Sequence, residues 1–165
     1  MKRKVKGFTL IELIVVMGIL AVLAGVLVPN MINSIRKAKV NTANANAKAI
    51  FNASQTVAQQ YEFQRVGGLD GTISSDMTGS VDDTLESEFT TKLKKYFDEA
   101  DRVAWKIYID NYIVKTVVSA ERPSDIYVGK YPKPYNLDDV LGKKKSIESD
   151  EYTDSKLKEL GDAYY

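Results

Sequence analysis

The chain has 165 residues, with 23 basic and 22 acidic side chains, 10 Gly, 4 Pro, and neither Cys nor His. Zero cysteine excludes disulfides, thiolate metal sites and a thiol nucleophile, and zero histidine removes the side chain most used for acid–base chemistry near neutral pH. A net charge of +1 gives no basic groove for nucleic acid, while 44% apolar and 10% aromatic residues are enough to build a core and exclude a disordered chain.

The first forty residues are strongly asymmetric. Lys2, Arg3, Lys4 and Lys6 precede Gly7, and between Lys6 and Arg36 the one charge is Glu12. Phe8 to Ile35 is thus a 28-residue stretch with a single carboxylate, and Leu13 to Val28 contains no polar side chain. At about 1.5 Å per helical residue, this run can cross a hydrocarbon core of roughly 30 Å. The basic flank favours a cytoplasmic N-terminus, although Arg36, Lys37 and Lys39 follow the other end. A secretory signal peptide would place its cleavage near Val22-Leu23-Ala24, yet the apolar run continues through Val26, Leu27 and Val28 with no polar segment. A plain anchor explains length and flank but not Glu12. A charge in a membrane helix costs roughly 2.5–3.5 kcal/mol at the centre, less toward the end, and is functional by default.

The run Lys6-Gly7-Phe8-Thr9-Leu10-Ile11-Glu12, followed by the apolar segment, resembles the leader junction of type IV pilins and of the type II secretion pseudopilins. The likeness covers about Lys2 to Val40. It implies that residues 1–7 are a leader removed by a prepilin peptidase between Gly7 and Phe8, with N-methylation of Phe8 afterwards. The mature chain would then carry 19 basic against 22 acidic residues. The resemblance also implies that residues 8–29 serve as a transmembrane and filament-core helix, broken at Gly18, Gly25 and Pro29 in the filament, and that residues 30–165 form a globular headgroup. Phe8 and Glu12 are the expected assembly residues, because cleavage creates a positive amine on Phe8 that can neutralise the Glu12 carboxylate. The implied partners are other copies of this chain, other pilins, the prepilin peptidase, the membrane assembly machinery and lipid. No cofactor, metal or nucleic acid is expected. The implied location is the cytoplasmic membrane before assembly and a surface pilus after it.

Beyond Pro29, Ile32, Ile35, Ala43, Ala47, Ile50, Ser54, Val57 and Tyr61 recur near a 3.6-residue period, predicting an amphipathic helix over 30–65 that ends at Gly67-Gly68. Residues 66–101 hold nine acids and three lysines; Asp70-Gly71 reads as a turn, and Leu85, Phe89, Leu93 and Tyr96 or Phe97 give a short helix with Asp83 and Glu86 as its capping box. Within 102–131, alternation over Arg102 to Ile109 and Tyr112 to Ser119 predicts a hairpin turning at Asp110-Asn111, with Ile126-Tyr127-Val128 as a third strand. Pro132 and Pro134 put that strand at an edge. Over 132–165 the expectation is short helical pieces at Leu137 to Leu141 and Thr153 to Leu160, adding little to the core.

The fold class expected is α+β: a type IV pilin fold, with a long N-terminal helix packed on a three- or four-stranded antiparallel sheet. The function expected is structural, a pilus subunit for adhesion or twitching motility, with a pseudopilin of a secretion or DNA-uptake machine as the alternative. A tethered enzyme would have to rely on a carboxylate pair such as Asp138-Asp139. The absence of cysteine departs from the disulfide-closed pilins of Gram-negative bacteria and suits Gram-positive ones. Lys143-Lys144-Lys145 reads as a solvated loop, and Asp150, Glu151 and Asp154 lack EF-hand spacing. Charge falls in blocks of +3 over 8–65, −6 over 66–101, +4 over 102–145 and −4 over 146–165, a pattern that fits either solubility or contacts between subunits.

Overall fold

A computed structural model describes residues 8–143, 146–148 and 150–163. Gly7, Lys144 and Lys145 lie outside the described residues. The chain forms two compact units, dividing between Arg36 and Lys37. Its first element, α1 (Leu10–Gln64), is a single α-helix that carries Pro29 inside it. α1 runs unbroken through Gly18, Gly25 and Pro29 in the single chain, whereas the break at these positions is an expectation for the filament. Pro29 has no N–H to offer the Gly25 carbonyl, but Asn30 Nδ2 donates to Val26 O at 3.2 Å and Ser34 Oγ to Asn30 O at 3.0 Å, adding side-chain bonds around the defect.

In the first unit every described residue is exposed, and Ile32 and Ile35 share that exposure rather than joining a core as their spacing predicts. Burial begins at Val40 and follows the helical period through Ala43, Ala47, Ile50, Ser54, Val57 and Tyr61. The helix closes earlier than Gly67-Gly68. Arg65 adopts a left-handed φ of 55°, with Arg65 N donating to Glu62 O and Val66 N to Tyr61 O, which is a Schellman closure built on a non-glycine residue.

The sheet runs β1 (Gly71–Ser74), β2 (Ala104–Asp110), β3 (Ile113–Ala120) and β4 (Gly129–Tyr131), all antiparallel and in chain order. β1 replaces the expected turn at Asp70-Gly71. The β2–β3 hairpin turns at Asn111-Tyr112, both at positive φ, one residue later than expected. That pair of left-handed residues is the type I′ geometry matching strand twist. Tyr112 is held there because its OH donates to Val66 O at 2.9 Å. The edge strand lies at Gly129–Tyr131, just beyond Ile126-Tyr127-Val128, and Pro132 follows it.

Trp105, Ile107, Ile109, Val114 and Val117 pack with the buried α1 residues and with Phe89 and Leu93 of α2 (Asp83–Leu93). A second cluster joins Ala104, Tyr108, Val118 and Ala120 to Val140, Ile147, Tyr152 and Leu157. The last three of these come from α4 (Asp154–Asp162) and the segment before it, and Val140 from α3 (Leu137–Lys143), so the C-terminal region supplies a substantial part of the core, contrary to expectation. The chain is α+β throughout, a long N-terminal helix and a four-stranded antiparallel sheet, as the type IV pilin fold requires.

α2 is capped by Asp82, whose carboxylate accepts from Thr84 N at 3.0 Å, and not by an Asp83–Glu86 box. Glu86 instead turns inward and is fully buried; its Oε1 accepts from Ser74 N at 2.6 Å and Gly79 N at 3.2 Å, tying α2 to β1.

Candidate functional site

Among the described residues the chemistry is concentrated at the start of α1. Thr9 is its N-cap residue, and Glu12 lies three positions on. Thr9 N and Thr9 Oγ1 donate to Glu12 Oε2 at 2.8 and 2.7 Å, and Glu12 N donates back to Thr9 Oγ1 at 3.3 Å. This is a reciprocal capping box, T-x-x-E, and it uses two of the amide donors that a helix start leaves unpaired. The pattern is legible in the sequence as Thr9-Leu10-Ile11-Glu12. Phe8, the residue before the cap, is 89% exposed.

The remaining expected residues lie along the same helix. A Cβ placed on Gly18 or Gly25 would meet nothing within 4 Å, so no contact within the chain requires either glycine. Each weakens the helix by about 1 kcal/mol relative to Ala. From Leu10 to Val28 the large apolar side chains stand exposed, on a helix long and apolar enough to cross a membrane.

The other polar candidates have local roles. Asp139 accepts from Asn136 N at 2.9 Å, and its own N donates to Asn136 Oδ1 at 2.8 Å, so this carboxylate caps α3. Among the described residues no group of three or more acids gathers to hold a metal ion. A cavity of about 440 Å³ between α2 and the β2 start is lined by Asp76, Thr90, Lys94, Asp101, Arg102 and Arg122 among others, with Lys94 and Asp101 paired at 2.7 Å. Burial works against the charged form of Asp76, but hydrogen bonds from Ser74 and Thr78 outweigh it and hold the carboxyl below its ordinary range.

A capped apolar helix in a chain that also forms a four-stranded antiparallel sheet is an α+β arrangement consistent with the type IV pilin fold. Residues 2–28 match the family described as Prokaryotic N-terminal methylation motif, and the chain carries that motif of prokaryotic pilins. Over 51 residues it is 39% identical to the Type IV major pilin protein PilA of Myxococcus xanthus (strain DK1622), a match covering 31% of this chain and 23% of that protein's length. No solved structure matches. These similarities lie in the N-terminal part of the chain and support a pilin- or pseudopilin-like role.

Proposed function

We propose that this chain is the structural subunit of a type IV pilus, held as a monomer in the cytoplasmic membrane and polymerised through its N-terminal helix into a surface filament serving adhesion and motility. The observation that carries this reading is the coincidence, at one helix start, of the Gly7-Phe8 junction, the Glu12 carboxylate and an exposed apolar run. In the membrane, lipid covers that run. In a filament, the same side chains pack against other copies, gaining close van der Waals contact that lipid does not match. Cleavage after Gly7 by a prepilin peptidase frees the Phe8 amine, which N-methylation leaves positively charged. Paired with Glu12 of a neighbour, that amine neutralises the one charge in an otherwise dry core. The attraction at 4 Å ranges from ~1 kcal/mol in water to ~4 kcal/mol at an effective dielectric of about 20, enough to bias register without setting total stability. Gly18, Gly25 and Pro29 are the positions at which the helix would yield as subunits pack.

Mass spectrometry tests the processing and electron microscopy the assembly. The expected mature chain starts at Phe8 and carries one added methyl, and surface filaments vanish when this chain is deleted. An N-terminus at Gly25 would establish a secretory signal and overturn the reading. A processed chain that forms no surface filament would assign it to the pseudopilins.

A further inference from the structure

The headgroup has two sheet edges of opposite charge. On the β1 side, Ser80 N donates to Thr72 O at 2.8 Å, so the segment leading to α2 lies along the outer edge of β1, and Glu86 fastens the helix there. Residues 66–101, which include this flank, hold nine acids against three lysines, and Asp82, Asp83 and Glu88 are exposed on it. On the β4 side, Lys48 Nζ lies 5.9 Å from the Tyr131 ring centre and Lys39 Nζ 5.2 Å from that of Tyr127, with exposed Lys133 just beyond the strand. The stretch of α1 from Arg36 to Gln60 contains four basic residues and no acid. Among the described residues, Lys39, Lys48, Lys133, Asp82 and Asp83 form no ion pair within the chain.

We propose that a second copy of this chain docks its basic β4 edge, through Lys39, Lys48 and Lys133, against the acidic α2 flank of the first. The inference rests on the filament reading above and names the headgroup surface that accompanies the apolar core. Two different, complementary patches on opposite edges make a head-to-tail contact, and such contacts propagate into open helical polymers when they do not close into rings. A self-matching patch would stop at a dimer. Charge placed this way steers encounter and rejects wrong registers, because a basic edge meeting a basic edge is repelled. A ring beneath each of Lys39 and Lys48 restrains the ammonium group, so less side-chain freedom is lost on docking.

The experiment reverses each edge in the full-length chain, with filaments counted by electron microscopy in cells lacking the wild-type copy. K48E/K133E leaves both edges acidic and D83K/E88K leaves both basic. Each alone should lower filament yield by about tenfold or more. The two variants expressed together, and the fourfold variant carrying all the changes, should recover filaments, which a folding defect would not permit. Wild-type yield from either double variant overturns the inference while leaving the pilus reading intact, as does failure of both the mixed and the fourfold arms. Loss of membrane-held monomer from K48E/K133E would assign these lysines to lipid phosphates and overturn it as well. Absence of filaments from the wild-type chain would overturn the pilus reading and this inference together.

Discussion

Thr9 and Glu12 hold each other at the start of α1: one carboxylate oxygen receives both the Thr9 amide and the Thr9 hydroxyl, and the Glu12 amide returns a bond to that hydroxyl. The carboxylate thus has a partner before any neighbour arrives, which separates its two proposed tasks. Glu12→Gln keeps a capping-box side chain and removes only the charge. Full-length Glu12→Gln should enter the membrane normally and assemble poorly. Thr9→Ala keeps the charge and loosens the first turn by about 1 kcal/mol, so it should assemble with a modest deficit. Normal filament yield from Glu12→Gln, with no wild-type copy present, would remove the pairing role.

The buried residues of α1 begin at Val40, and the sheet and C-terminal cluster that cover them lie in the same unit. A fragment of residues 30–165 should therefore fold as a soluble monomer, checked by analytical ultracentrifugation and a cooperative thermal transition. A fragment that aggregates or melts without a transition would show that the core needs the apolar half.

Asn44 and Gly129 fasten β4 to α1. Asn44 Oδ1 accepts from Lys130 N at 2.9 Å and Tyr135 N at 3.2 Å, and its Nδ2 donates to Tyr135 O at 2.7 Å. A Cβ on Gly129 would collide with the backbone of Ala43 and Asn44. Gly129→Ala should cost about 2–3 kcal/mol through overpacking, and Asn44→Ala about 2–3 kcal/mol through orphaned backbone groups. Both are measurable by urea unfolding of the fragment. Their combined cost should fall short of the sum, since each loosens the same seam.

Glu86→Ala should destabilise the fragment by about 2–4 kcal/mol, because it strands the buried amide of Ser74 and the half-buried amide of Gly79. Glu86→Gln retains an acceptor oxygen and should stay within about 1 kcal/mol of wild type. Equal losses from the two would mean that the charge itself, and not the accepted hydrogen bonds, holds β1 to α2.

Stability should be flat across neutral pH, as the chain has no His or Cys to titrate there. Burial raises the phenol pKa of Tyr152, with Tyr135 adding to it. It raises that of Tyr61, aided by the Glu88 charge, and that of Tyr108, aided by Asp110, Asp162, Asp154 and Asp70. A phenol raised in the folded state favours the native fold fully below its unfolded value of about 10, and that contribution is lost as the pH climbs above it. The melting temperature should therefore fall beyond about pH 10, and Tyr152→Phe should blunt the fall. An alkaline limb unchanged in Tyr152→Phe would remove Tyr152 as its source.

Where a signal extends over many residues, the sequence is readable. The apolar run, the amphipathic half of α1 and the alternation of β2 and β3 each repeat their period several times, so one exception does not obscure the pattern. β1 has four residues and begins with Gly71, which reads as a turn; it becomes a strand because Gly71 to Ser74 pair with Lys106 to Ile109. The hairpin offset came from Tyr112, whose left-handed backbone is held by a distant hydrogen bond to Val66 rather than by its own preference. Glu86 reads as a cap in the sequence, because its burial depends on amides twelve and seven residues away. Of the candidate site, Gly7, Phe8 and Glu12 stand in the motif itself, whereas Thr9 shows only as the helix cap three residues before Glu12.

The C-terminal segment is seated on the sheet by Ile147, Tyr152 and Leu157, and by Gly161 lying against Lys115 so closely that a Cβ there would sit 2.6 Å from the lysine Cβ. With no cysteine, no disulfide is available to this chain. Its outermost layer is therefore indifferent to the redox state of its surroundings, and a reducing agent leaves it in place. Under tension it has a mechanical consequence too: a seal made of dispersion and burial can peel and reseat without chemistry.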